Sequence, residues 1–251
     1  MTFDIHIITC AKTYTRIPSL LKNLRPLYTN IGFNNLKIFV RGDVGDSNLE
    51  FDERLWEEHI SSIYYILAKN IHIVHSGSSS DLSAHRNANL LKADERVIFP
   101  KRPLTNPEKS LINKHYNSLL QVSLPTVVLE DDSHMSSQNP SDILRFIQDF
   151  ADTHFINLSS MKTLPYYGKV SKTPYGLPYL ISPLGMTRTT AAYAVGPRVA
   201  NSFISSFFPI SLPADLHLQR LLCISRIPGV SLKDDLWINN SLEGLEQSSI
   251  Q

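Results

Sequence analysis

Thr126-Val-Val-Leu-Glu-Asp-Asp132 sets an apolar, largely β-branched run directly against three consecutive carboxylates, with Pro125 just upstream. An apolar run of this length behind a turn residue predicts a buried strand of an α/β sheet. The carboxylates then fall at its C-terminal end, where open α/β sheets bind their ligands. Three adjacent acids repel one another, and desolvating them is costly without a cation or a hydrogen-bond donor. Period-two alternation sets Glu130 and Asp132 on one face of an extended chain and Asp131 on the other. A hard divalent cation suits such a set, because it takes carboxylate oxygens and fills its remaining positions with water and substrate phosphate. The competing reading is a polar strand end whose Asp132 caps the following turn.

Upstream of this strand, β-rich and helical stretches alternate. Phe3-Asp-Ile-His-Ile-Ile-Thr-Cys10 predicts a first strand, and Arg16 to Leu24 a helix with Pro18 in its first turn. Leu36 to Val40 reads as a second strand, followed by a Gly42–Asp46 loop. Between Leu49 and Lys69, Phe51, Leu55, Ile60, Ile63, Tyr64 and Leu67 recur at helical spacing. Ile71 to Val74 is a third strand, and Asp81 is placed to cap a helix carrying His85, Arg86 and Asn87. Asn106-Pro-Glu-Lys supplies an N-cap, a proline at the first helical position and a first-turn acid for the helix that leads into the acidic strand. Such alternation predicts a mainly parallel, doubly wound sheet with helices on both faces.

Downstream, Asn139-Pro-Ser-Asp opens a helix with Ile143, Leu144, Ile147 and Phe150 facing inward, and His154 to Leu158 reads as a strand. Residues 161–180 lack periodicity and hold four tyrosines among prolines and glycines, which predicts a long loop. Thr189 to Val195 is a strand that Gly196-Pro197 turns into a helix. Ser211-Leu-Pro-Ala-Asp-Leu-His starts a further helix reaching about Cys223, and the tail from Asn239 is polar. No repeat, heptad run or composition break divides the chain, so residues 1–251 read as one domain.

A net charge of +1 over 251 residues lacks the basic stripe of a nucleic-acid binder. Two distant cysteines, Cys10 and Cys223, suit a reducing compartment better than a disulfide scaffold. No signal-peptide pattern opens the sequence, and no apolar stretch approaches the roughly 20 residues that span a bilayer. These features predict a cytoplasmic protein with no transmembrane segment, and leave peripheral contact with the cytoplasmic membrane face open.

Four segments in order give the chain a family likeness: Lys114-His115 before the acidic strand, Val128-Leu-Glu-Asp-Asp132, Thr190-Ala-Ala-Tyr-Ala-Val195 with Ala200 beyond, and Leu212-Pro-Ala-Asp215 with the terminal Glu246-Gln-Ser-Ser-Ile250. They resemble glycosyltransferase family 25, the family of lipooligosaccharide and procollagen galactosyltransferases. The likeness spans the C-terminal part of the chain, and Leu-Glu-Asp-Asp is its one individually specific motif. Lys114 stands where the family has serine, and the N-terminal third lacks the family's arginine-rich start. The resemblance implies a GT-A-like fold, a nucleotide-sugar donor such as a UDP-hexose and a divalent metal, commonly manganese. It divides the chain into a nucleotide-binding half, about 1–135, and an acceptor-binding half, about 136–251.

Candidate roles follow from that reading. Asp132 is the expected metal ligand, helped by Asp131 or Glu130, and neutralises charge on a departing nucleotide. Glu130 is alternatively a contact to the donor's ribose or sugar. Asp215 is the candidate base that takes a proton from the acceptor hydroxyl if the reaction inverts, with Asp131 as a second catalytic candidate; helix N-terminal stabilisation is the plainer account of Asp215. Donor-binding candidates are Thr9, Arg16 and Lys12 after the first strand, His115 and Lys114 on the preceding helix, and the Arg86-Asn87 pair, where arginine suits bidentate phosphate binding. An exposed helical pair is the competing view of Lys114 and His115. Tyr166, Tyr167 and Tyr175, with Tyr179, offer aromatic faces to an acceptor sugar, and His217 joins them; core packing is the commoner explanation for any one of these. The acceptor expected is an oligosaccharide or glycolipid of a bacterial-type surface glycan, as in lipopolysaccharide biosynthesis. Two other readings remain: transfer from a cytidine-monophosphate sugar (sialic acid or Kdo), and a non-catalytic sugar-binding protein of the same fold.

Overall fold

The computed structural model describes residues 3–10, 13–31, 35–40, 71–75, 104–135, 140–159, 170–182, 190–232 and 237–239. Within them the acidic run forms strand β4 (Thr126–Glu130), ending at the first carboxylate so that Asp131 and Asp132 lie in the turn beyond. β1 (Asp4–Ile8) lies parallel to it with Ile8 opposite Glu130. β2 (Asn35–Val40) and β3 (Ile71–His75) extend the parallel part outward. On the other side β9 (Ala192–Val195) runs antiparallel to both β4 and β6 (Phe155–Asn157). β10 (Gly229–Leu232) is parallel to β6, and β8 (Pro178–Ser182) and β7 (Val170–Lys172) close the sheet as an antiparallel hairpin. The order is β3-β2-β1-β4-β9-β6-β10-β8-β7, a mixed sheet whose parallel part contains the acidic strand.

Alternation along the strands loads both faces. Ile5, Ile7, Val127, Leu129, Ile156, Ala192 and Ala194 pack with helix α1 (Ile17–Ile31) and helix α3 (Pro140–Phe150). Ile8, Val128, Phe155, Tyr193 and Val195 pack with α2 (Asn106–Leu120), α4 (Pro197–Ser205) and α5 (Ala214–Ser225). Even-numbered residues of β4 therefore face α2, which places Glu130 on that side. His6, on the same face of β1, pairs through Nδ1 with Ser118 Oγ of α2 at 3.2 Å.

Three local expectations are corrected. The N-cap of α2 is Thr105, not Asn106: its hydroxyl accepts from the Glu108 amide at 3.4 Å, while Glu108 accepts from the Thr105 amide at 2.8 Å, a capping box. Residues 170–182 form the β7–β8 hairpin rather than loop. Thr173-Pro-Tyr-Gly176 places proline and glycine as a turn requires, and Gly176 takes φ of 91°. The acidic run also pairs with an antiparallel neighbour, β9, although its apolar stretch suggested parallel surroundings. The Leu49–Lys69 and Asp81 helices and the terminal Glu246–Ile250 motif lie outside the described residues.

A two-stranded sheet, β5 (Ser133–Met135) with antiparallel β11 (Trp237–Asn239), stands beside the acidic turn and sets Asn239 opposite Ser133. No helix among the described residues is long and apolar enough to cross a membrane.

Candidate active site

Glu130 and Asp131 are adjacent in sequence yet serve different surroundings. Asp131 is buried and accepts hydrogen bonds from Thr9 Oγ1 at 2.5 Å and from Thr13 Oγ1, and its Oδ1 meets the Arg16 guanidinium at 3.3 Å. Thr9 ends the β1 segment, and Thr13 and Arg16 belong to the turn that enters α1. Amides of that turn bond back to Cys10 and Thr13 carbonyls, so Asp131 ties the β1–α1 connection to the end of β4. Burial pushes its carboxyl above the usual range, while the two hydroxyls, Arg16 and Lys114 pull it down. Both oxygens accept from hydroxyl or guanidinium donors, so in this structure Asp131, expected as a metal ligand or reacting acid, organises the loop. Thr9 and Arg16, expected at the donor, are its partners.

Glu130 points the other way, as the alternation requires. Its Oε1 accepts from Thr190 Oγ1, just before β9, and lies 3.3 Å from His115 Nε2 on α2. Its amide donates to the Ala191 carbonyl at 2.8 Å, and Ser133 Oγ donates to the same carbonyl. His115 is buried, and its Nδ1 lies 3.0 Å from the Tyr193 hydroxyl. Tyr193 is wholly buried and stacks on Phe155 with ring centroids 5.2 Å apart. Lys114 is buried too, with its charge felt at Asp131. The exposed-pair view of Lys114 and His115 is therefore corrected; both turn toward the end of the acidic strand.

Asp215 stands in the first turn of α5, half-buried, with Oδ1 accepting from the Leu216 amide at 2.8 Å. Burial is the main cause raising its carboxyl above the usual range, and the negative charges of Glu130 and Glu108 add to it. The fold thus brings α5 to the Glu130 side of the acidic turn. Asp132 is buried in that turn beside β5. Two other candidates are placed elsewhere. His217 is buried inside α5 with its ring 4.7 Å from Phe207, and burial lowers its pKa to about 3, so it is a neutral packing residue. Tyr175, in the hairpin turn, donates to Asp149 of α3 at 3.1 Å and carries Arg145 over its ring at 4.5 Å. The hairpin strand β8 is four strands from β4, on the order of 19 Å at the usual spacing. Neither residue joins the carboxylates. Lys12, Arg86, Asn87, Tyr166 and Tyr167 lie outside the described residues.

Thr13, Thr190 and Tyr193 escaped the sequence reading as site residues. Tyr193 had a visible signal, the tyrosine at mid-strand in the family-like Ala-Tyr segment. The two threonines had none, because a hydroxyl's role depends on what the fold sets opposite it.

As a cation site, the acidic turn fits in part. Asp131 accepts from three other donors, Asp132 is buried in the same turn, Glu130 has a second oxygen outside its two side-chain hydrogen bonds, and no group of three His, Cys, Asp or Glu among the described residues converges to hold a metal. A small hard cation that takes only one or two protein carboxylates and completes its shell from a diphosphate is compatible with that set.

No family model matches the sequence, and no curated protein matches it. Among solved structures, S. aureus TarS 1–349 is 12% identical, with 97% of this chain and 61% of that chain covered at a TM-score of 0.51. The same TarS fragment in complex with UDP is 11% identical, covering 95% and 60%, at 0.50. LgtC galactosyltransferase, in complex with donor and acceptor sugar analogues, covers 87% and 70% at 10% identity, but its 0.47 is too loose to carry an argument. The chain spans about six-tenths of the TarS fragment. The mixed sheet with helices on both faces is GT-A-like, as the resemblance implied. At these identities the likeness establishes the fold alone.

Proposed function

We propose that the protein is a glycosyltransferase that moves a hexosyl group, galactose-like in the family resemblance, from a nucleotide diphosphate sugar to a saccharide or glycolipid acceptor. The observation that carries this reading is the gathering of Glu130, Asp131 and Asp132 at the C-terminal end of β4, the ligand-binding end of a GT-A-like sheet, with His115 of α2 on Glu130 and the β1–α1 turn on Asp131. A nucleotide-binding half at about 1–135 and an acceptor-binding half beyond it suit this placement.

Asp215 takes the acceptor hydroxyl's proton as that oxygen attacks the anomeric carbon from the face opposite the leaving group, inverting it. Its carboxyl is held above the usual range, chiefly by burial, which makes it a stronger base than an ordinary aspartate. Asp132 is the residue assigned to a divalent cation, manganese by the resemblance, with Glu130 beside it. That cation, when bound, supplies charge neutralisation to the departing diphosphate. Asp131 holds the β1–α1 loop against the same end of the sheet, and Lys114 adds positive charge beneath it.

Asp131's commitment to Thr9, Thr13 and Arg16 favours one second reading. With fewer carboxylates for a cation, a cytidine-monophosphate sugar donor, where metal matters less, fits the same fold. A nucleotide-sugar binding screen with and without manganese separates the two. Stabilisation by UDP sugars only with manganese supports the first; stabilisation by cytidine nucleotides without metal supports the second. No stabilisation by any nucleotide, alongside oligosaccharide binding, points to a non-catalytic sugar-binding protein. In the transfer assay, Asp215→Asn lowers turnover by about 10²–10⁴-fold, and turnover equal to the parent's removes the base from Asp215. Transfer should also rise with pH through the raised pKa of Asp215, since the base acts deprotonated.

A further inference from the structure

The Tyr193–His115–Glu130 line is a chain of buried hydrogen bonds ending on a partly exposed carboxylate, and the transferase reading above leaves its purpose unassigned. A carboxylate only accepts, so at Glu130 Oε1 the His115 Nε2 must carry a proton and donate it across 3.3 Å. In a neutral imidazole Nδ1 is then the acceptor, and Tyr193 is the donor across 3.0 Å. Tyr193 is held in that role: burial, helped by the Glu130 charge, pushes its hydroxyl well above its usual pKa. Thr190 donates to the same Oε1. Both donors therefore use one oxygen, and Glu130 Oε2 is left at the partly exposed end of β4 as an oriented acceptor.

We infer that Tyr193 and His115 are positioning residues that fix the His115 tautomer and the Glu130 carboxylate, so that Oε2 accepts a hydrogen bond from a hydroxyl of the transferred sugar. The donor's sugar is the group chosen because Glu130 is two residues from Asp132, the carboxylate assigned above to the diphosphate end of the donor. The inference rests on the transferase reading. No covalent change occurs at the relay; it sets which atom is donor and which is acceptor before reaction. A hydrogen bond from a sugar hydroxyl to an ionised acceptor is a recognition element that an analogue lacking the hydroxyl cannot satisfy.

Tyr193→Phe deletes one oxygen and frees the neutral imidazole to divide between its tautomers, one of which presents a lone pair to Glu130. The variant should therefore lose about tenfold to a hundredfold in transfer. A merely structural tyrosine leaves the His115 tautomer as it is in the parent. His115→Gln, whose amide can donate near the Nε2 position, should keep more activity than His115→Leu. Imidazole ¹⁵N spectra of the full chain give a readout independent of turnover: His115 as the Nε2–H tautomer in the parent, mixed in Tyr193→Phe. Deoxygenated donor sugars complete the test, since one of them should be discriminated against by the parent and not by Glu130→Ala. A parent that transfers no sugar from any nucleotide overturns the transferase reading and with it the role given to Glu130. A parent that transfers sugar alongside a Tyr193→Phe variant with an unchanged His115 tautomer overturns the relay alone.

Discussion

Asp131 and Asp132 differ by one position and by almost everything else. Asp131 is surrounded by Thr9, Thr13 and Arg16, three groups that would lose their common acceptor if it were removed. Asp131→Ala should therefore destabilise the fold by about 3 kcal/mol, the scale of breaking one side of a buried charged pair, with activity lost in step with folded protein. Asp132→Asn should leave the urea midpoint within the range of an ordinary polar substitution yet remove the transfer that depends on a cation. Urea melts run beside transfer assays check both at once. A stable, inactive Asp131→Ala variant would reverse the two assignments. The end of β4 separates the carboxylates: Glu130, its last residue, turns to His115 and Thr190, and Asp131, in the turn beyond, to the loop after β1.

At the scale of elements, the join between α3, β9 and α4 depends on one glycine. Gly196 is the N-cap of α4, and its amide donates to the Ala151 carbonyl at 2.6 Å. A Cβ there would lie 2.6 Å from Asp152 Oδ1 and 2.9 Å from both the Asp152 backbone nitrogen and Cα. Two of those atoms are main chain and cannot swing aside. Gly196→Ala should cost about 1–3 kcal/mol as an overpacked contact, read as a lower urea midpoint. An unchanged midpoint would mean the segment after α3 shifts freely. The sequence showed Gly196-Pro197 as a turn into a helix, but not that another backbone presses against it.

At the scale of the whole molecule, two neutral histidines make folding sensitive to acid. His6, against Ser118 and near Lys37, and His217, against Phe207 and near Arg220, are both lowered to about 3, chiefly by burial. The unfolded chain binds protons at both near the ordinary value of 6.5, whereas the folded chain does not until about pH 3. Their contribution is present above pH 6.5 and lost as pH falls from there toward 3. Each histidine should cost about 1.4 kcal/mol per pH unit within that window. Asp131 and Asp215 act oppositely at its lower end, because their raised values make ionisation unfavourable to folding as pH rises. His217→Leu should remove one proton from the uptake on unfolding between pH 5 and 6.5, measured from urea melts across pH. An unaltered slope would show that His217 is charged or exposed in the folded protein.

Local pattern carried the sequence a long way. β-branched runs marked β1, β2, β3 and β4, amphipathic spacing marked α1, α2 and α3, and three acids at a strand end marked the candidate site; these signals act between near neighbours, where sequence distance and spatial distance agree. The set of side chains around those acids came from tertiary structure instead. Parallel β1 places Thr9 beside Asp131, antiparallel β9 places Thr190 and Tyr193 beside Glu130 and His115, and α5 brings Asp215 to the same end. Hydroxyls and imidazoles have no fixed role until a fold gives them a partner, so the sequence determined where the acids gather and only the packed sheet decided what each of them does.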